Sequence, residues 1–265
     1  MLRSRPLALA AGALAGLAAL LAPTAANAAP TASGGYVALG DSYSSGLGAS
    51  AGYLDTTCYR SASAYPYLYA QATAPSSFSF QACSGATTTD VQANQLGALG
   101  PDTATVSITV GGNDVGFSTV VRDCLLGSDS TCQGSVATAE QQGRTVLPGK
   151  LDTLYTAIRA AAPNAHVVVL GYPELFAPDA TGCLDLDAVK RAAVNKGSDV
   201  LNQVVQAEVA KYPGFTYADV DARFAGHRIC DGSAWFNGPG FTRGWYHPNA
   251  GGQAGAYLPA LTANA

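Results

Sequence analysis

Short apolar runs separated by longer amphipathic stretches are the main pattern along the chain. The two clearest runs, 106–110 and 166–170, are rich in β-branched residues and predict buried strands. Similar runs complete a set of five predicted strands, at 36–40, 78–82, 105–110, 166–171 and 215–219.

Apolar residues at helical spacing occupy the stretches between these strands. In the stretch 149–162, Leu151, Leu154 and Ile158 share one helical face, and Pro163 ends the pattern. The same reasoning predicts helices at about 62–74, 186–211 and 250–262. Strands that alternate with helices are typical of an α/β protein whose mostly parallel sheet is covered on both faces.

Polar residues follow the first three predicted strands. Right-handed crossovers would bring the ends of these strands to one edge of the sheet, where open α/β sheets keep their active sites. Ser42 follows the first strand, Gly85 the second and Asn113 the third. Serine attacks only when a base takes its proton, so Ser42 is a candidate nucleophile. Gly85 and Asn113 could donate hydrogen bonds to an oxyanion, although both are also ordinary turn residues.

The three histidines are the candidate bases. His166 opens an apolar strand, which indicates a structural residue at the sheet edge. His227 lies three residues before Cys230, in a loop that a disulfide is expected to hold. His247 precedes Pro248 and the last predicted helix, so it would lie in a loop held by that helix. His247 is therefore the preferred base.

The N-terminus has a pattern of its own. A basic start is followed by an Ala/Leu-rich run at about 7–21 and by the small residues Ala26-Asn27-Ala28. This predicts a secretory signal peptide at 1–28. A membrane span is the competing interpretation, but the run is short and glycines interrupt it. Residues 29–265 then suit a single α/β domain, and the protein is expected to be secreted.

Cysteine content and charge narrow the function further. An even number of cysteines in an exported chain predicts disulfides, although six cysteines allow 15 pairings. No Cys-x-x-Cys motif occurs and no histidine has ligand-like spacing, so no metal site is expected. The net charge is −4 and charged residues make up 12% of the chain, which gives no indication of nucleic-acid binding. The cysteines are Cys58, Cys83, Cys124, Cys132, Cys183 and Cys230.

Four motifs occur in a set order along the chain: Gly40-Asp41-Ser42-Tyr43, Ser84-Gly85, Gly111-Gly112-Asn113-Asp114 and His247-Pro248-Asn249. With these motifs the chain resembles the SGNH (GDSL-type) hydrolase superfamily, and more narrowly its secreted actinomycete esterase/lipase/phospholipase branch. The resemblance implies a three-layer α/β/α sandwich around a five-stranded parallel sheet, flavodoxin-like in strand order. It also implies the disulfides Cys58–Cys83, Cys124–Cys132 and Cys183–Cys230.

The resemblance also assigns roles at the site. Ser42 would be the nucleophile, and His247 the general base and later the acid. The oxyanion hole would consist of the N–H groups of Ser42 and Gly85 and the side chain of Asn113. Many family members carry an aspartate three residues before the histidine, but Gly244 stands there in this chain.

A Ser42–His247 dyad is therefore predicted, in which the carbonyl of Gly244 or Trp245 orients the imidazole. Asp114, Asp221 and Asp231 remain alternative distal acids, and Asp231 is the nearest in sequence. Asp41 is expected to brace the loop through hydrogen bonds rather than to serve as the acid.

These features predict a secreted carboxylic-ester hydrolase that acts on fatty-acyl esters through an acyl-enzyme. It should work as a monomer, without cofactor, metal or stable membrane anchor. At most two of four aromatic residues, Tyr43, Phe117, Trp245 and Tyr246, are expected to line the pocket. Two alternatives stay open: a carbohydrate acetylesterase on the same scaffold, and a non-catalytic extracellular binding protein. The preferred acyl chain and the class of ester are not determined.

Overall fold

The structure is a computed structural model. In the part of the chain that it describes, five parallel strands form one sheet. The described residues are 1–2, 34–49, 52–184, 186–238 and 244–265, so nearly all of the predicted signal peptide lies outside them. The strands are β1 (Gly35–Gly40), β2 (Phe78–Phe80), β3 (Thr103–Thr109), β4 (His166–Leu170) and β5 (Phe215–Ala218). They pair in the order β2-β1-β3-β4-β5.

The central strands are buried on both faces. Val167 to Leu170 in β4 are all buried, and β3 buries Ser107 and Thr109 as well as Val106 and Ile108. Such continuous burial is expected of a parallel sheet with helices on both sides. β2 ends earlier than predicted, because the N–H groups of Gln81 and Ala82 both turn to the carbonyl of Ala38, at 2.8 and 3.0 Å.

The helices alternate with the strands. They are α1 (Ser42–Ser45), α2 (Tyr65–Thr73), α3 (Thr88–Asn94), α4 (Phe117–Leu126), α5 (Asp129–Thr145), α6 (Leu147–Ala161), α7 (Ala188–Val209), α8 (Ala250–Gly252) and α9 (Leu258–Asn264). A π-helical turn, Gln253–Tyr257, joins the last two. None of the helices in the described ranges is long and apolar enough to cross a membrane.

The helices form layers on either side of the sheet. Right-handed crossovers place α2 on one face and α3, α6 and α7 on the other, because the chain moves from β1 to β2 in one direction and afterwards in the opposite one. α9 packs against α2, β4 and β5. The predicted three-layer α/β/α sandwich with flavodoxin-like strand order is confirmed.

Helices α4 and α5 form an additional pair beside this sandwich. α4 packs on α5, and α5 packs along α7 and against α6. The hydrophobic pattern did not predict either helix. In α5 only Cys132, Val136 and Gly143 are buried, so its apolar stripe is too weak to stand out.

All three disulfides implied by the resemblance are present. Cys124–Cys132 joins α4 to α5, and Cys183–Cys230 joins two loops on the sheet's carboxyl side. Cys58–Cys83 ties the segment between α1 and α2 to the loop after β2. The Cys58–Cys83 disulfide therefore links the loop that carries Gly85 to the segment that follows Ser42.

Candidate active site

Ser42 lies at the point where the strand order reverses. The chain leaves the end of β1 through Gly40, whose φ is +121°. A Cβ at Gly40 would lie 2.4 Å from the carbonyl oxygen of Thr109, so only glycine fits. The side-chain amide of Gln95 holds the Gly40 N–H and carbonyl, at 2.8 and 2.9 Å. This sharp turn places Ser42 at the first position of α1.

Asp41 is the N-cap of α1 and braces the turn, as predicted. Its carboxylate accepts hydrogen bonds from the Tyr43 N–H at 3.0 Å, the Thr109 hydroxyl at 2.7 Å and the Tyr172 hydroxyl at 2.5 Å. Burial raises the pKa of Asp41 to about 6, although these hydrogen bonds favour the ionised form. Its carboxylate therefore stabilises the turn after β1 and makes no hydrogen bond with His247.

His247 makes a hydrogen bond from each ring nitrogen. Nε2 lies 2.7 Å from the Oγ of Ser42, and Nδ1 lies 2.7 Å from the carbonyl oxygen of Trp245. Because a carbonyl can only accept, Nδ1 carries the proton and Nε2 is free to accept the one from Ser42. Burial lowers the pKa of His247 to about 4, while the hydrogen bond to Trp245 acts in the opposite direction. The ring is therefore neutral at pH 7.

The loop that carries His247 is held from several sides. The carbonyl of His247 accepts from the backbone and side-chain N–H groups of Asn237, at 3.0 and 3.2 Å. The hydroxyl of Tyr43 donates to the carbonyl of Tyr246 at 2.9 Å. Tyr246 itself has a φ of +59°. Asn237 has no sequence motif, so it was not predicted as part of the site.

The three groups predicted as oxyanion donors each have an unused N–H. Among the described residues, the N–H groups of Ser42 and Gly85 have no hydrogen-bond acceptor. Gly85 has a φ of +87°, and a Cβ there would meet nothing within 4 Å. Asn113 donates one side-chain N–H to the carbonyl of Ala86 at 3.0 Å, which leaves its second N–H unused.

Asp114 connects the loop of Asn113 to the loop of Gly85. Its carboxylate accepts from the N–H and the hydroxyl of Thr88, at 2.9 and 2.8 Å. Lys150 lies 3.0 Å from the same carboxylate, whose side chain is only 1% exposed. The sequence suggested Asp114 only as an alternative distal acid. Its position next to Asn113 was the one sequence signal for a role in joining the two loops.

An apolar cavity opens beside Ser42. The space inside it that a water-sized sphere can reach is about 60 Å³, so the cavity is narrow. Ser42 and Asn113 lie at one side of it, and α4, α5 and α7 supply most of its wall. Tyr43 and Phe117 line it, whereas Trp245 and Tyr246 do not. The expectation that at most two of the four aromatics line the pocket is confirmed.

The remaining histidines and acids have structural partners elsewhere. The Nε2 of His166 lies 2.8 Å from the carbonyl of Asn264, and His227 stacks on Trp235. Asp221 pairs with Arg228 at 2.8 Å, and Asp231 accepts the Arg228 N–H at 2.8 Å. Among the described residues, no carboxylate contacts His247.

A metal-binding cluster is not seen in the described ranges. No group of three or more histidine, cysteine or carboxylate side chains there is placed to hold an ion.

The fold and the Ser42–His247 pair define a class, the hydrolases whose reactive serine follows the first strand of an α/β/α sandwich. Residues 38–254 match the model of the GDSL-like Lipase/Acylhydrolase family. The chain belongs to this family and is a carboxylic-ester hydrolase.

Three relatives place the chain more closely. Lipase 1 of Streptomyces coelicolor is 50% identical over 231 residues, which cover 86% of this chain and 85% of the relative. The crystal structure of phospholipase A1 from Streptomyces albidoflavus NA297 superposes with a TM-score of 0.85 at 46% identity, and covers 88% of this chain and all of that one. An extracellular lipase from Streptomyces rimosus gives a TM-score of 0.84 at 42% identity, with the same coverage.

Proposed function

We propose that the protein hydrolyses fatty-acyl esters by a Ser42–His247 dyad. The observation that carries this proposal is the 2.7 Å hydrogen bond between the Oγ of Ser42 and the Nε2 of His247, at the side of an apolar cavity. It brings together two residues that are 205 positions apart in the sequence.

The reaction proceeds in two acyl transfers. The Oγ of Ser42 attacks the ester carbonyl while Nε2 of His247 takes its proton. N–H groups of Ser42, Gly85 and Asn113 stabilise the resulting oxyanion. His247 then protonates the leaving alcohol as its C–O bond breaks, and an acyl-Ser42 remains. Water attacks this ester with His247 again as base, and the fatty acid is released when the proton returns to Ser42.

The carbonyl of Trp245 takes the orienting place that a carboxylate has in a triad. It holds the Nδ1 proton and so keeps Nε2 as the acceptor. A carbonyl has only a partial negative charge, so it stabilises the imidazolium formed during attack less than an aspartate would. The neutral ring favoured by burial is consistent with this arrangement.

The cavity supports the choice of a fatty-acyl chain. Its wall includes Val115, Phe117, Val136, Val194 and Leu201. The two carboxylates in its lining already have partners, Asp41 with Thr109 and Tyr172, and Glu140 with Lys196 at 2.9 Å. Burial of apolar surface stabilises a bound chain in proportion to the area removed from water. Since the relatives above are lipases and a phospholipase A1, triglycerides and phospholipids are the natural substrates to test after simple esters.

We also propose that the protein is secreted after cleavage of residues 1–28 and acts as a monomer of residues 29–265. Three disulfides are typical of proteins in oxidising compartments, and the S. rimosus relative is an extracellular enzyme. N-terminal sequencing of the protein from culture medium should begin at Ala29. Size-exclusion chromatography with light scattering would contradict the monomer if it gave twice the chain mass.

The function is tested with p-nitrophenyl esters from acetate to palmitate, with Ser42→Ala as the control. Turnover of the longer chains that disappears in Ser42→Ala supports the proposal. Turnover of acetate alone would indicate a deacetylase instead. A serine-reactive phosphonate provides an independent check, because it should label Ser42 and leave Ser42→Ala unmodified. Absence of both labelling and turnover would leave the binding-protein alternative.

A further inference from the structure

Two helices face the cavity with the same spacing of residues. α5 contributes positions 136, 139, 140 and 143, and α7 contributes 194, 197, 198, 200 and 201. Apart from position 200, both sets follow the i, i+3, i+4, i+7 pattern of a single helical face. In each set one position is a glycine, Gly143 in α5 and Gly197 in α7. The cavity is therefore bounded on two sides by helix backbone where a side chain would normally stand.

Helix packing does not explain these glycines. A Cβ at Gly143 would lie 3.7 Å from the nearest atom, in Val115, and a Cβ at Gly197 would lie 3.6 Å from the nearest, in Val136. Both are ordinary van der Waals distances, so alanine would fit at either position. Glycine also disfavours the helical conformation relative to alanine. Gly197 lies well inside the 22-residue helix α7, where this effect applies in full.

The cavity explains why glycine occupies positions 143 and 197. A side chain longer than alanine at either position has to extend into the space beside Val115 and Val136, and both of these residues line the cavity. Ser42, Asn113 and Val115 line the same cavity, so this space is continuous with the site at Ser42. The absence of side chains at 143 and 197 thus keeps volume open that an acyl chain can fill.

We propose that Gly143 and Gly197 set the longest acyl chain that this enzyme accepts. The inference rests on the proposed function above, because it requires the acyl group of the Ser42 ester to occupy the cavity. Each methylene that loses its apolar contact should cost about fourfold in kcat/KM, which corresponds to about 0.8 kcal/mol. Leucine adds four carbon atoms and should displace three or four methylenes.

The test compares Gly197→Leu and Gly143→Leu with the native enzyme on p-nitrophenyl acetate, butyrate, octanoate, laurate and palmitate. The ratio of kcat/KM for palmitate to that for acetate should fall about 100-fold in Gly197→Leu, and the preferred chain should become shorter. Gly134→Leu is the matched control, because Gly134 is an exposed glycine of α5 with nothing within 4 Å of its Cβ position. Its chain-length profile should equal the native one.

Alanine variants keep the test decisive if a leucine prevents folding. Gly197→Ala and Gly143→Ala should raise Tm and still shift the profile toward shorter chains. An unchanged profile in active Gly197 and Gly143 variants overturns this inference and leaves the proposed function intact. Failure of the proposed function has a different signature, since native enzyme would then show no Ser42-dependent turnover of long esters at all.

Discussion

The carboxylate of Asp114 holds both the N–H and the hydroxyl of Thr88, at 2.9 and 2.8 Å. Thr88 is the first residue of α3, which follows β2, and Asp114 follows Asn113 in the loop after β3. The two hydrogen bonds therefore set the distance between the loop of Gly85 and the loop of Asn113. These are the loops that carry two of the proposed oxyanion donors.

Asp114→Ala should lower kcat about 10- to 100-fold with little change in KM, because small displacements of catalytic groups are costly. Removal of a buried carboxylate also leaves Lys150 and Thr88 without their partner, so stability should fall. The measurement is kcat and KM on p-nitrophenyl butyrate, together with the free energy of unfolding in urea.

Asp90→Ala is the matched control for Asp114. Asp90 forms the capping box of the same helix with Thr87, on the exposed side. Its loss should destabilise the start of α3 by about 1 kcal/mol and leave kcat unchanged. Equal kcat losses in the two variants would mean that Asp114 acts only through the stability of α3.

Asn113→Ala should lower kcat about 10²–10³-fold, the usual effect of removing one oxyanion donor. The fold should change little, because the variant gives up one hydrogen bond to the carbonyl of Ala86. KM should change much less than kcat, since the oxyanion exists only during the reaction. A kcat close to the native value would assign Asn113 a purely structural role in joining two loops.

The part of the fold built by strong local patterns could be predicted from the sequence. β3 and β4 are rich in β-branched residues, and α6 presents a clear apolar face. α5 has no such signal, because the positions that face the cavity are Val136, Ala139, Glu140 and Gly143, of which only Val136 is strongly apolar. The weakness of its pattern and the presence of the cavity thus have the same cause.

The site shows a similar division. Motifs pointed to Ser42 and His247, whose chemistry depends on side chains. The choice between the carbonyls of Gly244 and Trp245 could not be made, because every residue has a carbonyl. The left-handed φ of Tyr246 makes the difference in the folded chain. The Trp245 carbonyl faces Nδ1 of His247, whereas the Gly244 carbonyl accepts the His247 N–H at 3.2 Å.

Asp231→Asn should leave kcat near the native value if His247 works without a carboxylate. The Asp231 carboxylate accepts the N–H of Arg228 at 2.8 Å, and asparagine can accept the same bond. Ser42→Ala measured alongside marks the level of complete loss. A decrease of several orders of magnitude in Asp231→Asn would show that a distal acid completes a triad during catalysis.

The low pKa of His247 predicts how kcat/KM depends on pH. With the pKa near 4, Nε2 remains unprotonated well below the usual 6.5, so the acid limb of kcat/KM should lie below pH 6.5. Asp41 has a pKa of about 6 but faces Thr109 and Tyr172, so the limb should persist in Asp41→Asn. A limb that disappears in that variant would belong to Asp41 instead.

The same shift has a consequence for stability. Between pH 6.5 and 4 the unfolded chain binds a proton at His247 that the folded protein does not, so this residue destabilises the fold as the pH falls through that window. In His247→Gln the proton site is absent, and the stability of the variant relative to native protein should rise from pH 7 to pH 4. Since the ring is only partly buried, a rise of about 1–2 kcal/mol is expected. The contribution of Asp41 to stability depends on pH in the opposite direction, because its pKa is raised in the folded protein. Asp41 is present in both proteins, so its contribution cancels in the difference between them. Urea unfolding of both at several pH values measures the difference, and a difference independent of pH would mean that the folded protein binds the His247 proton as readily as the unfolded chain.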